Sequence, residues 1–193
     1  MTKEGLTKAL EAGRISMTTR DELVTSITKS SSAVDLTGHL LQLVFEEDKT
    51  DLWQSSWVFD NVMRKNLSLL LPHIDLFCGK LASLKSESVL RPMAHTCELL
   101  VLHYFVKKNP EYLKSLQTSN LEKIAEVCFD WLIGEHKVAS KVFAMTSLFH
   151  LGSKFDWIRP ELKSVIEQQI LQGTAGFKSR GSKTLKLLTD LGY

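Results

Sequence analysis

Apolar residues recur along this chain at steps of three and four, and no stretch alternates apolar with polar positions between turn signals. The cleanest stripe is Leu121, Ile124, Ala125, Cys128, Trp131 and Leu132, which predicts one amphipathic helix ended by Gly134. Earlier, Thr19 and Glu22 are spaced as a capping box ahead of Leu23, Val24 and Ile27. Ser30 to Ser32 then break the pattern before Leu36, Leu40, Leu43 and Val44, whose helix closes in Glu46, Glu47 and Asp48. Leu52, Trp53, Trp57, Phe59, Val62 and Met63 cover a wider arc than a surface helix needs, which predicts packing on two sides. Pro72 marks the entry to a helix carrying Ile74, Phe77, Leu81 and Leu84. Two adjacent stripes follow, Met93, Cys97, Leu100 and Tyr104 beside Leu90, Ala94, Val101 and Phe105. The last pair runs through Val138, Val142, Met145 and Phe149 to a stop at Gly152, then from Pro160 through Leu162, Val165 and Ile166.

One unit therefore occurs three times, at 51–85, 88–133 and 136–172: an amphipathic helix, a polar or proline-marked break, and a second helix. Its spacing is the ~40–47 residues of HEAT and armadillo repeats. The expected fold is all-α, a HEAT/armadillo-like α-α superhelix, here a short solenoid of stacked helical hairpins in one domain over 1–193. Residues 18–48 read as an N-terminal cap pair, 1–17 as a frayed leader with Gly5 and Gly13, and 174–193 as a basic terminal segment. An irregular helical bundle is the alternative, and it differs in whether the pairs stack in order.

Composition changes this picture little. Hydrophobic residues at 44% and charged residues at 24% of 193 suit a folded chain that needs neither disulfide nor metal to hold it. The formal charge of +2 is too small to imply a polyanionic partner for the whole chain, although Lys178, Arg180, Lys183 and Lys186 face only Asp190 in the last segment. Cys78, Cys97 and Cys128 are odd in number and lack C-x-x-C spacing, which points to reduced thiols and a cytoplasmic setting. The first residues lack the apolar core of a leader, and the run Leu99 to Val106 is far shorter than the ~20 residues that span a bilayer.

Candidate chemistry is sparse. His95 and Glu98 stand one helical turn apart with His103 beyond them, short of a di-iron or zinc ligand set, so neither metal nor cofactor is expected. No G-x-S-x-G elbow, glycine-rich phosphate loop or H-E-x-x-H is present, and a non-enzymatic chain is the expectation. Asp130 and Asp156 each precede a tryptophan, and for Asp156 a helix-capping role is expected. The alternative is a nucleic-acid-binding protein similar to the HEAT-like DNA glycosylases, which set tryptophans and an aspartate around the damaged nucleotide; that resemblance would use Trp53, Trp57 and Asp60, whose spacing permits a shared helical face, with Lys178, Arg180 and Lys183 for phosphates. Nearby Glu46, Glu47, Asp48 and Asp51 weigh against it. In stacked pairs the second helices line the concave face, which places Lys80, Lys85, Glu122, Lys123, Glu126, Lys163 and Glu167 on a surface of mixed sign. Such a surface suits a protein or helical peptide, with one or two exposed aromatics as anchors.

Leu90 to Ala94, Cys128 to Trp131 and Phe155 to Leu162 resemble a family of small bacterial HEAT-like helical-repeat proteins often labelled adenylosuccinate lyase. The likeness runs from about Asp51 to Gly173 and implies a HEAT-like fold; the label would imply release of fumarate from adenylosuccinate. In the lyase superfamily the catalytic loop reads approximately Ser-Ser-x-Met-Pro-x-Lys-x-Asn. Here Ser31 and Ser32 lead into Ala33, Val34 and Asp35, and Ser55 and Ser56 into Trp57, Val58 and Phe59, without that lysine or asparagine.

Overall fold

The computed structural model describes residues 1–46 and 53–193, and the side chains of all of these except Trp53. Glu47, Asp48, Asp51 and Leu52, to which the sequence pattern gives helix-closing and helix-opening roles, lie outside the described residues. The described residues are all-helical, with 80% in helix and no strand. They form two compact units, Met1–Thr96 and Cys97–Tyr193.

The first unit contains α1 (Lys3–Glu11), α2 (Met17–Thr28), α3 (Ala33–Phe45), α4 (Trp53–Lys65) and the short α5 (Ile74–Lys80). The helix α6 (Glu87–Val101) begins in it. Residues 1–17, expected to fray, instead build α1 and the start of α2, because Leu6 and Leu10, one turn apart, are fully buried on the side of α1 that meets α3. Thr2 caps α1 by accepting the Gly5 N–H at 3.1 Å. At α2 the capping hydroxyl belongs to Ser16, which accepts the Thr19 N–H at 3.0 Å, so this helix starts before the Thr19 position that the capping-box spacing predicts.

Packing on two sides is realised at α4, which meets both α2 and α3 and buries Val58, Phe59, Val62 and Met63. Its first turn also buries Gln54, Ser55 and Ser56. Gln54 acts as a clamp on the link between α1 and α2: its Oε1 accepts the Ile15 N–H, and its Nε2 donates to the carbonyls of Gly13 at 2.6 Å and Leu10 at 3.3 Å. Ser56 does related work on α6. Pro92 inside that helix has no N–H to offer the Ser88 carbonyl four residues back, and Ser56 Oγ donates to that carbonyl instead, at 3.4 Å. Pro72, which the pattern places at or near the first position of a helix, sits inside a tighter 3₁₀ stretch, Leu67–His73, that leads directly into α5.

In the second unit a π-turn, Leu102–Val106, leads to α7 (Pro110–Ser115), α8 (Thr118–Ile133), α9 (Val138–Leu151), α10 (Ile158–Ile170) and α11 (Ala175–Asp190). Here α9 is the hub, meeting α8, α10, α11 and the π-turn. Encirclement explains why α9 departs from its predicted single stripe: Ser140, Ala144, Ser147, Leu148 and Leu151 are buried along with Met145, while Val138, Val142 and Phe149 are half-buried. The amphipathic helix expected over Leu121 to Leu132 is α8, and it buries all six of those residues. On α11, Gly181 allows close approach to α10, since a Cβ there would stand 3.1 Å from Ile166 Cγ2. Pro160 lies in the first turn of α10, but the N-cap position is Trp157 and no side chain caps the helix. Asp156 is exposed and does not take the capping role expected of it; the Ile158 N–H is met by the Phe155 carbonyl at 3.0 Å.

Candidate functional site

On the outer face of α8, Glu122, Glu126, Phe129 and Ile133 follow one another at steps of four, three and four, opposite the stripe that packs inward. Glu122, Glu126 and Ile133 are exposed and Phe129 is half-buried. The segment before α10 delivers Trp157 onto this face. Its ring stacks on Phe129, with centroids 5.4 Å apart and 24° between planes. Trp157 is nonetheless 53% exposed and Ile133 56% exposed, so the stack is fixed from beneath and open above. Asp130, Asp156 and Glu161 are also exposed near it in sequence. These three and Glu122 and Glu126 make no ion pair or side-chain hydrogen bond among the described residues, and with Lys123 and Lys154 also exposed, the segments that carry the aromatic platform bear mixed charge with an acidic excess.

The seven residues assigned by sequence to a mixed-sign surface divide between the units. Lys80 and Lys85 are exposed at and beyond the end of α5 in the first. Glu122, Lys123 and Glu126 are exposed on α8 in the second, while Lys163 and Glu167 pair with each other along α10 at 3.9 Å. Trp157 was not among them. Its signal is a large aromatic outside every apolar stripe, set between Asp156 and the α10 start.

The residues of the nucleic-acid alternative are held in other ways. Trp57 is half-buried under the Arg20 guanidinium, 4.6 Å from its centroid, and the Trp53 side chain lies outside the described residues. Asp60 has both carboxylate oxygens engaged: Oδ1 meets His95 Nδ1 at 2.5 Å and Oδ2 accepts from Arg64 Nε at 3.0 Å. That arrangement ties α4 to α6 and takes His95 away from Glu98. Glu98 instead lies 4.0 Å from Arg180, whose guanidinium also donates to Thr146 Oγ1 at 2.6 Å. Arg180 is thus turned toward α9, while Lys178 and Lys183 remain exposed on α11. No three His, Cys, Asp or Glu side chains converge as a metal site among the described residues.

Beside Ile133 opens a cleft of about 450 Å³ between the end of α8 and the starts of α9 and α11, with His136, Lys141, Gln172 and Phe177 among its walls. Lys141 Nζ spans it to Gln169 Oε1 at 3.4 Å. All three cysteines are buried, and burial pushes the Cys128 thiol up to about 12, so it stays protonated at neutral pH.

Two histidines make the fold sensitive to acid. Burial, then the charge of Arg159, lowers the pKa of His150; burial, then Lys107, lowers that of His103. Lys107 Nζ stands 2.8 Å from His103 Nε2 and must donate to it, which leaves the ring proton on Nδ1, a buried nitrogen with no partner. Both rings are therefore held neutral. Their contribution is fully present above the ordinary value of 6.5 and is lost as pH falls from there through the lowered folded-state values, because the unfolded chain takes up protons first. Urea midpoints should fall from pH 7 toward pH 5, and His103→Gln with His150→Gln should flatten that slope; an unchanged slope in the double variant would refute the assignment.

Comparison with known proteins finds no protein family, no curated sequence and no solved structure that matches this chain. Among the described residues, no helix is long and apolar enough to cross a membrane.

Proposed function

We propose that this chain is a non-enzymatic scaffold whose helical hairpins stack as a short HEAT-like solenoid and whose role is to bind another protein. The supporting observation is Trp157, exposed at 53% yet stacked on Phe129. An aromatic that already packs on a neighbour has less side-chain entropy to lose when a partner covers it, which suits an interface anchor. Ile133 extends the apolar centre and the unpaired carboxylates supply a polar rim, the arrangement of a docking face. Two of the three stretches that resemble the HEAT-like family, Cys128 to Trp131 and Phe155 to Leu162, are the ones that meet here.

A photo-cross-linking residue placed at Ile133 should capture a discrete protein in cells, and Trp157→Ala should abolish that capture while leaving the melting temperature nearly unchanged. Capture that is indifferent to Trp157, or none at native abundance, would remove the proposal. The lyase label is tested separately by fumarate release from adenylosuccinate, for which no turnover above background is expected.

A further inference from the structure

The platform of Phe129, Ile133 and Trp157, on segments with an acidic excess, has a counterpart in the same chain. The outward side of α11 carries Lys178, Lys183 and Lys186, all exposed and none paired among the described residues. Just beyond Lys183 and Lys186 stand Leu187 and Leu191, which are 48% and 51% exposed although Phe177, Thr184 and Leu188 on the inward side are buried; one acid, the exposed Asp190, lies between the two leucines. Lys183 and Leu187 lie one turn apart on α11, and Leu191 caps its end. One face thus presents aromatic and aliphatic surface on segments with an excess of unpaired carboxylates, and the other presents leucines next to Lys183 and Lys186 with Asp190 as the one acid. Both have an apolar centre, and their net charges are opposite in sign.

The two faces cannot be joined within one copy without unpacking α11 from α9 and α10, because Phe177, Gly181, Thr184 and Leu188 of α11 are buried there. A second copy can join them. Arg159 lies 5.6 Å from the Tyr193 ring, so the end of α11 is carried to the start of α10, where Trp157 sits. With platform and leucines at the same end, two copies related by a two-fold axis can make both contacts at once and close the assembly.

We propose that the docking partner of the Trp157 platform is the α11 face of a second copy of this chain, in a reciprocal dimer. The inference rests on the docking reading of Trp157 given above. The lysines would meet Glu126 and Asp130, and Leu187 and Leu191 would cover Trp157, Phe129 and Ile133.

Sedimentation of the purified chain from low micromolar to near-millimolar concentration should show a monomer–dimer equilibrium that weakens as salt rises. Trp157→Ala should weaken it about 30-fold, as loss of a central anchor does. Two exposed-surface double variants, Glu126→Lys with Asp130→Lys and Lys183→Glu with Lys186→Glu, should each be monomeric with unchanged circular dichroism and melting. Mixed in equal amounts they should dimerise again, because each reversed face then meets an opposite charge. A wild-type chain that stays monomeric, a dimer unaffected by these substitutions, or variants that fail to recombine would overturn the proposal. If the purified chain is monomeric while a cross-linker at Ile133 captures a different protein, the reciprocal dimer falls and the docking face stands. If neither is seen, both fall.

Discussion

Replacing Gln54 with alanine should lower the unfolding free energy by about 3 kcal/mol, measured by urea denaturation, and should open the first sixteen residues to protease. The magnitude follows from three hydrogen bonds to main chain, each of net worth about 1 kcal/mol, together with the penalty for polar groups left buried. Ile15, whose N–H would be orphaned, is 9% exposed, and Leu10, whose carbonyl would lose its donor, is fully buried. Gln54 reaches this link from α4 across more than forty positions of sequence. Gln54→Glu is the sharper control. It keeps the volume and the acceptor for Ile15 but turns an oxygen toward the Gly13 and Leu10 carbonyls, so it should destabilise nearly as much. A loss below 1 kcal/mol in both variants would mean that α1 is held by Leu6 and Leu10 alone.

Gln54 also shows where sequence reading stops. The helix α8 is legible because Leu121, Ile124, Ala125, Cys128, Trp131 and Leu132 form one buried stripe that ends at Gly134, whereas α9, packed on several sides, buries Ser140 and Ser147 as well. The leader is not legible, since only two of its first eleven side chains are buried and its fixing contact comes from a glutamine that looks like surface in the α4 sequence. Periodicity reports which side of a helix is apolar; it does not report that a polar side chain is spent on a remote backbone. The same blindness hides the link of Ser56 to the carbonyl freed by Pro92.

For the candidate site, charge was legible and the anchor was not. Glu122, Lys123 and Glu126 are exposed as the α8 pattern requires, because they stand opposite its buried stripe. Trp157 belongs to no stripe, and its exposure depends on a loop that lays its ring on Phe129 from outside. Tryptophan count therefore misleads in both directions: Trp131 is 3% exposed, Trp157 is 53% exposed, and Trp57 lies between them beneath Arg20.

Asp60→Ala should cost about 2–3 kcal/mol, and the sign of that change separates two roles for the residue. As a pin, Asp60 accepts two hydrogen bonds from cationic or ring nitrogens in a setting where its side chain is only 13% exposed, and such bonds are worth roughly twice neutral ones. Removing it takes from His95, itself 13% exposed, the acceptor that ties α6 to α4. Asp60→Asn retains an oxygen for His95 and should lose only about 1 kcal/mol. A double-mutant cycle with His95→Ala should return a coupling of about 1–2 kcal/mol, since the two groups are in contact. A carboxylate kept for a nucleotide would behave in the opposite way. Held unsatisfied for a ligand, it would destabilise the free protein, and its removal would leave the urea midpoint unchanged or raise it while altering salt-dependent DNA binding. Because both oxygens of Asp60 are engaged within the first unit, destabilisation without any change in DNA binding is the expected outcome.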